Sequence, residues 1–187
     1  MAKKKPTPRK RPAKAAKATK SGGKAASKSA PAPDTAATLQ QLGFFRGEYN
    51  WEADRDVPAL GGRVRLLVDH TGDVVAPEQL RALELLIETE KQLRPLALRA
   101  AYELMLRWVE GYRARHPDFR GKPMSERAFN RGCDLGEVVF PSPGRSEEKP
   151  PPRFQLSLYW PDDDGHPCDV SFEWQRGAWV IVNCERN

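Results

Sequence analysis

The first 33 residues contain no Asp, no Glu, no aromatic residue and no Leu, Ile or Val. Without acidic neighbours, the cations of this stretch have no internal counter-charge. Without apolar side chains, nothing is buried that would offset the entropy of ordering the backbone. The composition therefore predicts a disordered basic tail over residues 1–34, followed by one folded domain over residues 35–187. A domain of roughly 150 residues has a core large enough to fold without disulfides or metal.

Cysteine is scarce. Cys133, Cys168 and Cys184 are an odd number at wide spacing with no Cys-x-x-Cys, which argues against a disulfide framework or a structural zinc site and points to a reducing compartment. Long apolar runs are missing too. No stretch approaches the ~20 residues that span a bilayer, and the positive N-terminus is not followed by the apolar stretch of a secretory signal. A soluble, cytoplasmic protein with no membrane partner is expected. The chain also lacks His-Glu-x-x-His, a Gly-rich phosphate loop and a Gly-x-Ser-x-Gly elbow. No cofactor is expected, and the reading is nonenzymatic.

What is present is charge, unevenly placed. The chain carries 31 Lys or Arg against 25 Asp or Glu, a net charge of +6. Eleven of the cations, Lys3, Lys4, Lys5, Arg9, Lys10, Arg11, Lys14, Lys17, Lys20, Lys24 and Lys28, lie in the acid-free tail. The body is left with 20 basic and 25 acidic residues, a net charge of −5. A flexible polycation of this kind releases counterions from DNA or RNA phosphates, so its affinity falls steeply with salt. Lacking rings, it cannot stack on bases, and binding without sequence choice is predicted. The acidic body fits a basic protein partner. The Lys-Ala-Pro texture of the tail resembles the tails of linker histones and of histone-like bacterial proteins.

Strands are expected around Tyr49 to Trp51 and over Arg63–His70, where Val64, Leu66 and Val68 share a face. Pro77 suits a first helical position and Glu78 complements the helix dipole, so a helix is expected over 77–91, with Glu84, Glu88 and Lys91 on a salt-bridged surface. A second helix is expected from Pro95 to before Pro117, its buried face carrying Ala97, Ala101, Leu104, Trp108 and Tyr112, with Arg113 and Arg115 in the last turn. A short helix near 125–131 and a short strand at 136–140 follow. Alternation then marks strands at 154–160 and 170–174, and Gln175-Arg176-Gly177 turns into Ala-Trp-Val-Ile-Val-Asn-Cys-Glu. That last run is apolar on both faces and reads as a central strand. The resulting fold class is α+β, an antiparallel sheet packed against two consecutive helices.

The densest chemistry is Trp160-Pro-Asp-Asp-Asp-Gly-His-Pro-Cys-Asp169. Asp162, Asp164 and His166 are candidate partner-binding or metal-ligating residues, since carboxylates suit Ca²⁺ or Mg²⁺ while His and Cys suit zinc. The spacing matches no regular metal motif, and Asp-Gly between two alternating runs is ordinary hairpin chemistry. A metal-dependent enzyme built on this loop, and a nucleoid-associated protein acting through its tail, stand as alternatives to the binding domain. The five tryptophans, Trp51, Trp108, Trp160, Trp174 and Trp179, fall mostly on apolar faces and read as core rather than as a base-stacking platform. An exposed Tyr159 or Trp179 would instead read as an interface anchor.

The segment Pro-Glu-Gln-Leu from Pro77, continuing through the Ala-, Leu- and Tyr-rich helix to Tyr112, together with Trp-Pro-Asp-Asp-Asp-Gly-His and the final strand, resembles an uncharacterised bacterial α+β domain family. Such domains show a Gln-bearing helix and a closing Trp-Asp-x-x-His-Gly hairpin. Here Pro161 follows Trp160, and Pro167 stands where glycine is usual. The resemblance, over roughly residues 42–184, implies an immunity-like, partner-binding role.

Overall fold

The computed structural model describes residues 34–70, 74–144, 149–161 and 165–186. The basic tail with its eleven cations, and Asp162, Asp163 and Asp164, lie outside the described residues. The described chain belongs to a unit spanning Pro33–Asn187.

Asp34 starts the first element. Its carboxylate accepts the Ala37 N–H at 3.1 Å, satisfying one of the donors left open at the start of helix α1, Thr35–Gln41. Seven residues show too few turns for periodicity to reveal them, and sequence reading misses this helix. Gly43, with φ of +78°, turns the chain into the two-residue strand β1, Phe45–Arg46. Strand β2, Asn50–Val57, buries Trp51, Ala53 and Val57 and turns Glu52, Asp54 and Asp56 the other way. A 3₁₀ turn at Pro58–Leu60, closed by Gly61 at φ +82°, leads into β3, Gly62–Asp69, where Val64, Leu66 and Val68 are buried as expected.

Helix α2 spans Pro77–Ile87, shorter than the expected 77–91. Its continuation is pulled away by the loop that follows: the Leu93 N–H donates to the Ala59 carbonyl at 2.7 Å and Gln92 Nε2 to the Pro58 carbonyl at 2.8 Å. Lys91 therefore lies off the helix, and Glu84 pairs with Arg81 at 3.1 Å. Helix α3, Arg94–Arg115, carries Pro95 in its first turn and Arg113 and Arg115 in its last. At about 1.5 Å per residue it is roughly 33 Å long. Its buried stripe is Ala97, Leu98, Ala101, Met105 and Val109: Ala97 and Ala101 lie inside as expected, but Leu104 and Tyr112 are only partly buried and Trp108 is not on the buried face. The stripe keeps stepping by four beyond Ala101, and Trp108 is rotated out to 44% exposure. Helix α4, Glu126–Gly132, is capped by Ser125, whose Oγ accepts the Ala128 N–H at 3.3 Å, and buries Phe129.

The sheet is completed by β4 (Asp134–Phe140), β5 (Arg153–Tyr159), β6 (Pro167–Gln175) and β7 (Ala178–Arg186), in the order β1-β2-β3-β4-β5-β6-β7. The α+β class holds, but the sheet is mixed rather than antiparallel: β3 and β4 run parallel, with Leu66 opposite Val138. The reason is the crossover, since α2, α3 and α4 carry the chain back before β4 begins. Strand β7 is an edge strand, not a central one. A bulge explains its misleading pattern. Ser171 faces Asn183 while Phe172 faces Ile181, so Val182 is an extra residue that reverses the alternation and puts apolar side chains on both faces. A similar shift between Leu135 and Val138 does the same in β4.

Helices α2 and α3 pack on one side of the sheet, α2 against β4 and β5 and α3 against β5, β6 and β7. One core results, to which α1 gives Leu39, α2 Leu83, α3 Ala101 and α4 Phe129. Among the described residues no helix is long and apolar enough to cross a membrane.

Candidate functional site

His166 is exposed, one residue before β6 begins, while Cys168 is wholly buried. The local cluster expected around residues 162–168 is therefore not brought together by its described members. Among the described residues no group of three His, Cys, Asp or Glu side chains could hold a metal ion. Gly165, at φ +90°, takes the left-handed backbone that a hairpin loop needs. Trp160 packs in the core against Phe129 with ring centroids 6.0 Å apart. Pro161 lies so close to Gly132 that a Cβ there would meet its Cγ at 2.6 Å.

Gln79, in the Gln-bearing helix, is 3% exposed. Its Oε1 accepts the Ala76 N–H at 2.9 Å, and its Nε2 donates to the Asp69 carbonyl at 2.8 Å and to the Phe140 carbonyl at 2.7 Å. It ties together the ends of the parallel strands β3 and β4, with both Nε2 hydrogens and one Oε1 lone pair spent on backbone.

Cys168 and Cys184 bring their sulfurs to 3.5 Å across β6 and β7. The thiol hydrogen bond between them, followed by burial, pushes Cys168 up; the same bond, helped by the Arg107 guanidinium, holds half-buried Cys184 below the ordinary thiol range. Cys133 is pushed up to about 12 by burial.

Two cavities flank the last hairpin. One, of about 340 Å³, lies between the α2–α3 loop and the β6–β7 turn, lined by Leu85, Leu93, Trp174 and Trp179 with Lys91 at its rim. Its indole is satisfied internally, since Trp179 Nε1 donates to Thr89 Oγ1 at 3.1 Å. The other, of about 260 Å³, includes Gln155, Ser171, Glu173 and Asn183. It opens on the sheet face turned away from the helices. By register, Glu52, Asp54, Asp56, Glu137, Glu173 and Glu185 share that face with Arg63, Arg65 and Arg153. Carboxylates outnumber guanidiniums there, and Arg65 is already paired with Glu52. Tyr159, an expected anchor if exposed, is 38% exposed, whereas Trp179 is 5% exposed and belongs to the core.

The feature that sequence reading missed is the outward side of α3 near its C-terminal end. Trp108 stacks on Tyr112 at 5.5 Å and 24°, Tyr112 lies 4.3 Å from the His116 ring, and Phe119, itself 40% exposed, meets Tyr112 edge-on at 5.1 Å. The Arg186 guanidinium sits 4.9 Å from the Trp108 ring centre and 5.1 Å from that of Trp160. Beside the rings is an open trough of about 620 Å³ lined by Arg113, Phe119, Arg120, Gly121, Lys122 and Pro123. Arg113 Nη2 donates to the Gly121 carbonyl, and Arg120 Nη1 to the Pro117 carbonyl at 2.6 Å, so both guanidiniums are held in place. The spacing of Trp108, Tyr112 and His116 at every fourth residue, with arginines between, was a legible signal. It was masked because the same spacing fits a buried helix face.

Comparison with protein-family models, with curated proteins and with solved structures gave no match.

Proposed function

We propose that this chain is a nonenzymatic binding protein. Its N-terminal tail attracts nucleic acid, or another polyanion, through phosphate contacts without sequence choice, and its domain docks a basic protein partner in an immunity-like manner. The observation that carries the reading is the separation of charge: eleven cations and no carboxylate in residues 1–33, against a net of −5 in the body. Cations with no carboxylate beside them in the chain gain affinity for phosphates through counterion release. The carboxylate-rich sheet face supports the second half of the reading, since complementary charge steers association and excludes wrong partners.

The test is duplex DNA binding by the full chain and by a variant whose eleven tail cations are changed to glutamine, at roughly 50 and 200 mM salt. The full chain should bind and lose affinity steeply with salt, and the neutralised variant should lose most duplex affinity at the lower salt. Equal duplex binding by the two proteins would refute the role of the tail. For the domain, stoichiometric and saturable inhibition of a basic partner protein, without turnover, is the expected behaviour. Charge reversal at Glu173 and Glu185 should weaken it.

A further inference from the structure

We propose that the exposed rings of Trp108 and Phe119, packed on either side of Tyr112, with Arg113, Arg120 and Lys122 beside them, are a stacking site for the unpaired bases of a single-stranded nucleic acid. The inference rests on the polyanion-binding reading and gives it a second, chemically different site within the domain.

Three observations converge. The first is exposure of rings that pack on one another: Trp108 is 44% and Phe119 40% exposed, yet both contact Tyr112. Tyr112 packs between them, so Trp108, with the Arg186 guanidinium 4.9 Å from its ring centre, and Phe119 are the rings whose outer surfaces a base can reach. The second is local charge. Residues 107–131 hold seven Lys or Arg against three carboxylates, whereas the rest of the body beyond the tail holds 13 against 22. The body is acidic overall and cationic over this segment. The third is shape, because the trough of about 620 Å³ beside Phe119 is open to solvent and its guanidiniums are pre-positioned by the Gly121 and Pro117 carbonyls.

Cations alone would suit any anion, including an acidic protein. The rings decide the class. An exposed ring offers a surface on which any base can stack, so the combination of rings and cations fits nucleic acid without sequence choice. A duplex keeps its bases stacked out of reach, so the site requires single strands. Glu110 and Asp118 lie within the same segment and limit the field, and the C-terminal end of α3 is itself slightly negative, so the cations must outweigh both.

The experiment uses the full chain with its tail cations changed to glutamine, and compares an oligothymidylate with a duplex of equal length. This protein should bind the single strand at least about tenfold more tightly than the duplex. Trp108→Ala in the same background should weaken single-strand binding by about tenfold, while Trp108→Phe, which keeps a ring, should restore most of it. Phe119→Ala and Lys122→Gln, at exposed positions, give the same reading if Trp108→Ala alters the circular dichroism of the domain. Equal affinity for single strand and duplex, or single-strand affinity unchanged in Trp108→Ala and Phe119→Ala, would overturn the proposal. Duplex binding alone reports on the tail, so either site can fail without the other.

Discussion

Two ring clusters in this domain have nearly the same internal geometry and opposite surroundings. In the core, Phe154 stacks on Phe172 at 4.7 Å and 13° and meets Trp179 edge-on at 4.7 Å, with Phe140 at 6.3 Å. On the outside of α3, Trp108, Tyr112, His116 and Phe119 pack at 4.3 to 5.5 Å. The first cluster is closed off by α2 and by the sheet; its one polar atom, the Trp179 N–H, is answered by Thr89. The second has guanidiniums beside it and leaves Trp108 and Phe119 exposed. Ring-on-ring packing therefore does not by itself distinguish a core from a binding platform. What lies against the outer faces of the rings does.

The largest effect should come from breaking the buried cluster. Phe154→Ala should destabilise the domain by about 3–5 kcal/mol, because it removes the ring that joins Phe140, Phe172 and Trp179 and leaves a cavity. Urea denaturation with an unchanged slope would measure it; a loss below about 1 kcal/mol would mean that this cluster does not hold the sheet to the helices. A smaller effect is expected for Trp179→Phe, which keeps a ring but deprives the Thr89 hydroxyl of its donor, at a cost of about 1 kcal/mol. The smallest is Trp108→Ala, whose 44% exposed ring should leave stability within about 1 kcal/mol of the parent. If Trp108→Ala proved as damaging as Phe154→Ala, the outer cluster would be an extension of the core and the contrast would collapse.

Much of the strand layout was legible, because half-buried strands announce themselves by alternation. Val64, Leu66 and Val68 in β3, Phe154, Leu156 and Leu158 in β5, and Val170 and Phe172 in β6 all point where period two places them. The starts of α2 and α3 were legible from Pro77 and Pro95, since a residue without an N–H fits the first turn and little else in a helix. Reading failed where a bulge changed parity, as at Val182, and where a helix was too short to show a period, as in α1. It failed at Trp108 for a different reason. A helix has several candidate apolar stripes, and the choice between 104-108-112 and 105-109 belongs to the surface it packs against.

Of the candidate site, the local sequence identified the turn around Gly165 but could not say that Cys168 would be drawn into the core toward Cys184, sixteen residues away, while His166 stayed outside. By itself, the sequence determined the segregation of charge, the α+β class and most element boundaries, because composition, periodicity and capping act over a few neighbouring residues. Only the tertiary structure decided the parallel pairing of β3 with β4, the binding of Gln79 to their ends, and the exposure of Trp108 on α3. Those depend on which surfaces meet, and surfaces meet between residues that the chain keeps far apart.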